Sequence, residues 1–345
     1  MSHMLNEIHQ QPEIVVKLVG EERANAERLA AEIKRGDTRF VVIAARGTSD
    51  HAAIYGKYLL EIKNGIPVAL ADCSVFTLYD AAMRLDDALV IGISQSGEAT
   101  DVAEYLERSK ALGALTLAIT NEPGSHLTRI ADHTILCHAG KERGVAATKT
   151  YTSTLAAFYL ISECLIGECS PVDSLSKCAD AMRGALGMQD DVFEKAERHR
   201  DMTSGYVLAR GFNYCTALEI ALKLAETSYL GMIGCSAADF LHGPIAAVHE
   251  DQACFLIAPP GKTLDGMMEM ASRLRDLKAE TVVLSSDDGV LSLASTPFRI
   301  EAQLPEELSP LLYIVPAQLF AYRLAVVRGY DPDRPHGLSK VTLTR

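Results

Sequence analysis

The segment Tyr206-Val207-Leu208-Ala209-Arg210-Gly211 echoes Val42-Ile43-Ala44-Ala45-Arg46-Gly47 at an offset of 164 residues, and this repetition narrows the possible folds sharply. The same offset carries Ser94-Gln95-Ser96-Gly97 onto Ala258-Pro259-Pro260-Gly261. Each tetrapeptide directly follows an apolar run, Ala88-Leu89-Val90-Ile91-Gly92-Ile93 in the first copy and Cys254-Phe255-Leu256-Ile257 in the second. An Arg-Gly pair recurs often by chance, but two turns sharing one offset point to duplication of one α/β unit. In the first copy, apolar runs predict strands over 40–45, 67–71, 88–93 and 115–120. Between and after them, the pattern predicts helices over 6–33, 48–63, 98–112, 148–165 and 172–199. Short apolar strands alternating with helices imply an α/β chain with parallel sheets covered on both faces.

The two copies differ in chemistry. The first places Thr48, Ser49, Ser94 and Ser96 in its turns. Hydroxyls and turn amides donate to phosphate oxygens, and a following helix N-terminus adds partial positive charge. The second copy has Pro259 and Pro260 in the matching turn, and proline has no amide hydrogen to donate. The sequence therefore predicts one phosphate cradle per chain, in the first copy, and a scaffold or complementary role for the second turn.

The formal charge of −12 argues against nucleic acid and anionic membranes as partners, while leaving room for a small anionic substrate held by local donors. No apolar run reads as long enough to span a bilayer, and the first thirty residues lack a signal-peptide core, so a cytoplasmic location is expected. The eight cysteines contain no Cys-x-x-Cys pair and most lie in apolar runs, which favours buried free thiols over disulfides or zinc. No Gly-x-Gly-x-x-Gly follows a strand, and Gly261-Lys262-Thr263 lacks the preceding glycine loop, so neither NAD nor ATP is expected.

Glu219, Lys223 and Glu226 are spaced i, i+4, i+7 and share one helical face. Such a face can aim a carboxylate into a cleft beside an ammonium that keeps it ionised, as a base must be. On spacing alone it is equally an ion-paired surface stripe. His242 precedes Gly243-Pro244 and so sits on a turn, where an imidazole can shuttle protons near neutrality. His51, His126, His133, His138 and His249 have no such context and no metal-ligand spacing, and read as surface or core histidines. Lys340 lies in a tail stiffened by Pro332 and Pro335, which can lay an amine over a site.

Gly47-Thr48-Ser49, Ser94-Gln95-Ser96-Gly97-Glu98 and Leu241-His242-Gly243-Pro244 together resemble the tandem SIS (sugar isomerase) proteins. The likeness is to the isomerase half of glucosamine-6-phosphate synthase and to stand-alone glucosamine-6-phosphate deaminases of that build. It runs from Glu7-Ile8-His9-Gln10-Gln11-Pro12 to the tail around Lys340. The resemblance implies two tandem SIS domains, each a doubly wound five-stranded parallel sheet flanked by helices. The expected division is a helical lead-in over 1–34, a phosphate-binding domain over 35–170, a helical linker over 171–200, a second domain over 201–328, and a tail over 329–345 carrying Lys340.

The resemblance also implies roles. Thr48, Ser49, Ser94, Gln95 and Ser96 match residues that hold the sugar phosphate, and Val145 and Ala146 match a backbone stretch lining the site. Glu226 matches the base that moves a proton between C1 and C2, with Lys223 and Glu219 on its face. His242 matches the ring-opening histidine, commonly donated by the neighbouring subunit of a homodimer. Lys340 matches a tail lysine that can form a Schiff base with the open-chain sugar. Three positions depart from the pattern. Ala99 stands where a threonine is usual, Ala147 replaces a frequent serine, and Arg46 replaces the synthase cysteine in a form closer to the deaminases.

The sequence shows no glutamine-hydrolysing segment and no amino-terminal cysteine nucleophile, so glutamine is not expected to be the ammonia donor within this polypeptide. The favoured reaction is glucosamine 6-phosphate to fructose 6-phosphate plus ammonia, without a cofactor or metal. Alternatives are an isomerase or deaminase of another amino- or fructosamine-type phosphosugar, or a non-catalytic sugar-phosphate sensor.

Overall fold

In the computed structural model, which describes residues 2–167, 170–302, 304–338 and 340, the chain divides into two compact units. The amino-terminal unit comprises Gln10–Glu142, Lys149–Ser176 and Ser339–Arg345. The carboxy-terminal unit comprises Met1–His9, Arg143–Thr148 and Lys177–Leu338. The amino-terminal nonapeptide and the loop Arg143–Thr148 group with the second unit, and Lys340 with the first.

The amino-terminal unit is built on β1 (Phe40–Ala44), β2 (Val68–Leu70), β3 (Ala88–Ile93), β4 (Leu115–Thr120) and β5 (His133–Leu136). All pair in parallel, in the order β2-β1-β3-β4-β5. β3 is buried at every position, as a central strand with helices on both faces must be. Beneath it Val42, Val90, Ala118, Phe76, Val102, Tyr105 and Leu106 pack into one core. The helices Thr48–Asn64 and Lys149–Ile166 lie against each other. At their contact a side chain on Gly56 would come within 2.5 Å of the Phe158 ring, so only glycine admits this close approach. Glu163, buried on the second of these helices, is neutralised by Lys63 at 2.7 Å. The imidazoles of His133 and His138 bond Glu32 and Glu22 at 2.8 and 2.6 Å and tie the helix His3–Arg35 to this sheet.

The carboxy-terminal unit repeats the pattern with β6 (Ser204–Ala209), β7 (Gly231–Ser236), β8 (Ala253–Ala258), β9 (Glu280–Ser285) and β10 (Thr296–Arg299). Their order, read from the β7 end, is β7-β6-β8-β9-β10, which is the order of the first sheet. The strands β1 and β6 start 164 residues apart and β3 and β8 start 165 apart, so the duplication read from the turns extends through the sheet. The following turns keep the correspondence, with Gly47 and Gly211 at φ of 54° and 61°.

Two expectations change. The segment 172–199 forms two helices, Pro171–Leu186 and Gln189–Arg198, because Gly187 closes the first by donating to the carbonyls of Arg183 and Gly184. The expectation that no apolar run could span a bilayer is corrected by the segment Glu306–Val327, which is long and apolar enough by length and composition, with mean hydropathy 1.5. Its most apolar window is 78% buried inside the protein, so its composition is that of a core helix. The seven described cysteines are free, and burial pushes the Cys178 and Cys254 thiols up to about 12. Cys169 lies outside the described residues.

Candidate functional site

In the amino-terminal unit β1 and β3 are neighbours, yet the chain leaves them toward opposite edges of the sheet. Beyond their carboxyl ends lies the topological switch point, where open α/β sheets bind ligands. Thr48 and Ser49 open the helix after β1, and Ser94, Gln95 and Ser96 form the turn after β3. The predicted phosphate residues of this unit therefore all fall at one sheet edge.

The turn after β3 is held by its backbone. Ser94 donates its amide to Ile119 O at 3.2 Å, and Gln95 O accepts from the Asn121 amide at 3.1 Å. Gly97 sits at φ 66°, and a Cβ there would fall 2.1 Å from Ser125 Oγ, so the bend excludes any larger residue. Among the described residues these bonds leave the amides of Gln95 and Ser96 without a backbone acceptor. Both side chains are half-buried, which leaves them accessible at the turn, whereas Ser94 is buried. Glu98 does different work. Its Oε1 accepts from the His126 amide at 2.9 Å and closes the start of the next helical turn.

Two helices of 17 and 12 residues, Thr48–Asn64 and Thr100–Ala111, begin at this edge, and their N-termini favour negative charge. Ala99 precedes the second helix and supplies no side-chain cap, so Thr100 becomes its first residue. Arg46 also lies here. Its Nε donates to Asp101 Oδ2 at 2.7 Å, and Asp101 is buried while the guanidinium is half exposed. That bond, outweighing burial, holds the arginine above its ordinary pKa. Arg46 so bridges the turn after β1 to the helix after β3 and brings a cation to the crevice.

Lys340 returns to this unit. Its ammonium donates to Glu142 Oε2 at 2.8 Å, and the same carboxylate accepts from Thr150 Oγ1 at 2.8 Å and from the Thr150 amide at 3.2 Å. Glu142 escaped the sequence reading because its partners lie 8 and 198 positions away and share no periodicity with it.

In the carboxy-terminal unit the helix Tyr214–Ser228 carries the predicted acid–amine face. Lys223 Nζ donates to Glu226 Oε2 at 2.5 Å and lies 3.3 Å from Glu219 Oε1. The spacing did not produce a solvated stripe, because the Lys223 and Glu219 side chains are 1% and 0% exposed. Burial opposes the ammonium, but the two carboxylates outweigh it and hold Lys223 above its ordinary pKa. Glu226, at 21% exposure, is the accessible member of the group.

His242 is exposed in the turn after the short helix Ala237–Phe240, with its amide donating to Asp239 O at 2.9 Å. Val145 is half-buried and Ala146 buried, in a loop shaped by Glu7. The Glu7 carboxylate accepts from the amides of Arg143 and Gly144 at 2.5 and 3.1 Å. This gives the carboxylate of the Glu7-Ile8-His9-Gln10-Gln11-Pro12 segment a structural purpose. His126, His133, His138 and His249 are engaged with Glu107, Glu32, Glu22 and the Glu250 carbonyl.

The second copy's turn is filled from within the chain. Glu306 Oε2 accepts from the Lys262 amide at 2.9 Å and Oε1 from Thr263 Oγ1 at 3.1 Å, at the start of the helix Leu264–Asp276. A carboxylate of the protein thus occupies donors that the duplicated fold would offer to an anion. Glu306, invisible to the sequence reading, fills the turn for which a scaffold or complementary role is expected.

Fold and turn chemistry define a duplicated, doubly wound α/β protein whose first copy carries hydroxyls and helix N-termini at its switch point. The chain belongs to the SIS domain family, which matches it twice, over residues 37–163 and 201–328. It is 37% identical over 98% of its length to a Pyrococcus horikoshii glutamine–fructose-6-phosphate aminotransferase (isomerizing), and spans 57% of that relative. The C-terminal domain of glucosamine-fructose-6-phosphate aminotransferase from Francisella tularensis superposes with a TM-score of 0.87 at 27% identity, covering 97% of this chain and 98% of that one. A Thermotoga maritima glucosamine-6-phosphate deaminase shares the fold at a TM-score of 0.77 and 21% identity, over 99% of this chain and all of that one.

Proposed function

We propose that the protein is a phosphosugar isomerase–deaminase that converts glucosamine 6-phosphate to fructose 6-phosphate and ammonia. The observation that carries this reading is the contact of Lys223 with Glu226, a carboxylate kept accessible at the end of an otherwise buried acid–amine group. The names of the relatives, glutamine–fructose-6-phosphate aminotransferase (isomerizing) and glucosamine-6-phosphate deaminase, support it.

Thr48, Ser49, Ser94, Gln95 and Ser96 hold the phosphate, and Val145 and Ala146 contribute backbone beside the sugar. His242 passes a proton between the ring oxygen and the C1 hydroxyl to open the ring. Glu226 removes the C2 proton and returns it to C1, turning the amino-aldehyde into a C2 imine. The amine of Lys340 adds at C2 and expels ammonia, and water then hydrolyses the resulting imine to the ketone and frees the lysine. Lys223 and Glu219 set the charge and position of Glu226.

We further propose a homodimer in which His242 comes from the partner subunit, working in the cytoplasm. A mixture of Glu226→Gln and His242→Ala chains would then regain roughly a quarter of wild-type activity through one restored site per mixed dimer. No recovery on mixing contradicts the shared site.

A second reading is the reverse direction, which the same residues would serve when ammonia is supplied. Assaying ammonia release from glucosamine 6-phosphate beside ammonia-dependent consumption of fructose 6-phosphate separates the two directions. A panel of other amino- and keto-hexose 6-phosphates tests the substrate. Binding of phosphosugars with no turnover of any would support the sensor role instead.

A further inference from the structure

A lysine near a chain end is ordinarily solvated and mobile. Lys340 is instead joined to a carboxylate whose side chain is wholly buried, while the ammonium itself stays 26% exposed. A buried carboxylate is costly without a cation and further donors. Glu142 has both, because Thr150 donates twice to it from the first turn of the helix Lys149–Ile166. The neighbouring Lys149 ammonium donates to Gln10 Oε1 at 2.9 Å and Lys141 O at 3.0 Å. The geometry has a direction. The carboxylate is sealed in the protein and immobilised by the helix, while the amine it grips remains reachable.

We propose that Glu142 is a positioning residue that fixes Lys340 for reaction, with Thr150 fixing Glu142 in turn. The inference rests on the role assigned to Lys340 above and adds the part that holds it. Glu142 itself does not touch the sugar. It confines the tail amine to one place beyond β5, so that the amine is presented to a carbonyl carbon rather than spread through solvent. Confinement of a reacting group to one geometry is a large share of what a site contributes to rate.

The test uses the full chain as wild type, Glu142→Gln and Thr150→Val, with two readouts. The first is the rate at which an amine-reactive succinimidyl ester labels Lys340, followed by mass spectrometry. The second is borohydride trapping with fructose 6-phosphate. There the neutral amine adds to C2, water leaves to give the imine, and hydride reduces it to a stable secondary amine on Lys340. Glu142→Gln is expected to label about tenfold faster and to trap about tenfold less adduct, with fructose 6-phosphate affinity within about twofold of wild type. Thr150→Val is expected to fall between the two. Should Glu142→Gln fail to fold, Glu142→Asp takes its place, with its carboxylate drawn back by one methylene and the same expectations. Labelling and trapping both at wild-type levels in the variant overturn the proposal. If wild type itself forms no adduct, the imine role of Lys340 falls, and the labelling rate alone decides whether Glu142 holds the tail.

Discussion

Lys223 sits between two carboxylates of its own helix, 2.5 Å from Glu226 and 3.3 Å from Glu219. Of the three, only Glu226 reaches solvent appreciably, which is why the proposed proton transfer is assigned to it. Replacing it with glutamine keeps the shape and removes the base. Glu226→Gln is expected to lower turnover by about 10²–10⁴-fold with fructose 6-phosphate binding little changed, checked by steady-state kinetics beside equilibrium titration.

The same contacts give a stability signature at high pH. Lys223 is held above its ordinary pKa, so the folded state keeps its proton to higher pH than the unfolded chain does. The stabilisation is complete below the unfolded lysine value of about 10.4 and is lost as pH rises through the folded value. Thermal denaturation from pH 9 to 11.5 should show wild type losing stability more steeply than Lys223→Met above that point. Parallel curves would contradict it.

On the acid side, Asp132 gives the opposite sign. Burial raises its pKa, but Lys110 and the Thr116 side chain and amide outweigh burial and hold it below the ordinary value. Its contribution is present above the unfolded aspartate value of about 3.9 and disappears as pH falls through the folded value. Asp132→Ala, which unties β4 from β5, should cost about 1 kcal/mol at pH 7 in urea titrations, and the difference from wild type should shrink toward pH 2–3.

Gly56 tests the packing beneath the crevice. Alanine is the better helix former by about 1 kcal/mol, which alone would make Gly56→Ala stabilising. The added carbon would fall 2.5 Å from the Phe158 ring, and that ring is fully buried. Overpacking should win, so the variant is expected to lose about 1–3 kcal/mol in urea unfolding. A stabilised variant would show that the two helices can separate at no cost.

Much of this was readable from residues because the signals were local. Ala88–Ile93, Leu115–Thr120 and Ala253–Ala258 are continuous apolar runs, and a strand covered on both faces needs no other mark. The edge strands His133–Leu136 and Thr296–Arg299 escaped because they are short and only partly buried, so their composition resembles loop. Glu219, Lys223 and Glu226 could be grouped because helical spacing brings them together. Glu142 with Lys340, and Glu306 with Lys262, could not, since each pair is closed by the tertiary fold across a long stretch of chain.

Arg46 is the departure from the family pattern with a physical reading of its own. It holds the buried Asp101 and brings a guanidinium to the edge where the residues proposed to hold the phosphate lie. Arg46→Ala should weaken fructose 6-phosphate binding by about tenfold while leaving unphosphorylated fructose unaffected, as measured by calorimetry. Equal losses for both sugars would assign the residue to structure alone.

The central claim, that Glu226 moves a proton between C1 and C2 of a phosphorylated aminosugar, is met most directly by isotope incorporation. Glucosamine 6-phosphate is turned over in D₂O and the fructose 6-phosphate formed is read by NMR. Glu226 is 21% exposed, so its acid form exchanges with solvent in part before the proton is returned. The account predicts deuterium at C1 in a fraction of the wild-type product, the rest keeping the hydrogen from C2. With Glu226→Gln, product and exchange are predicted to fall together by the same large factor. Product formed by the variant at the wild-type rate, with the same deuterium at C1, would contradict it.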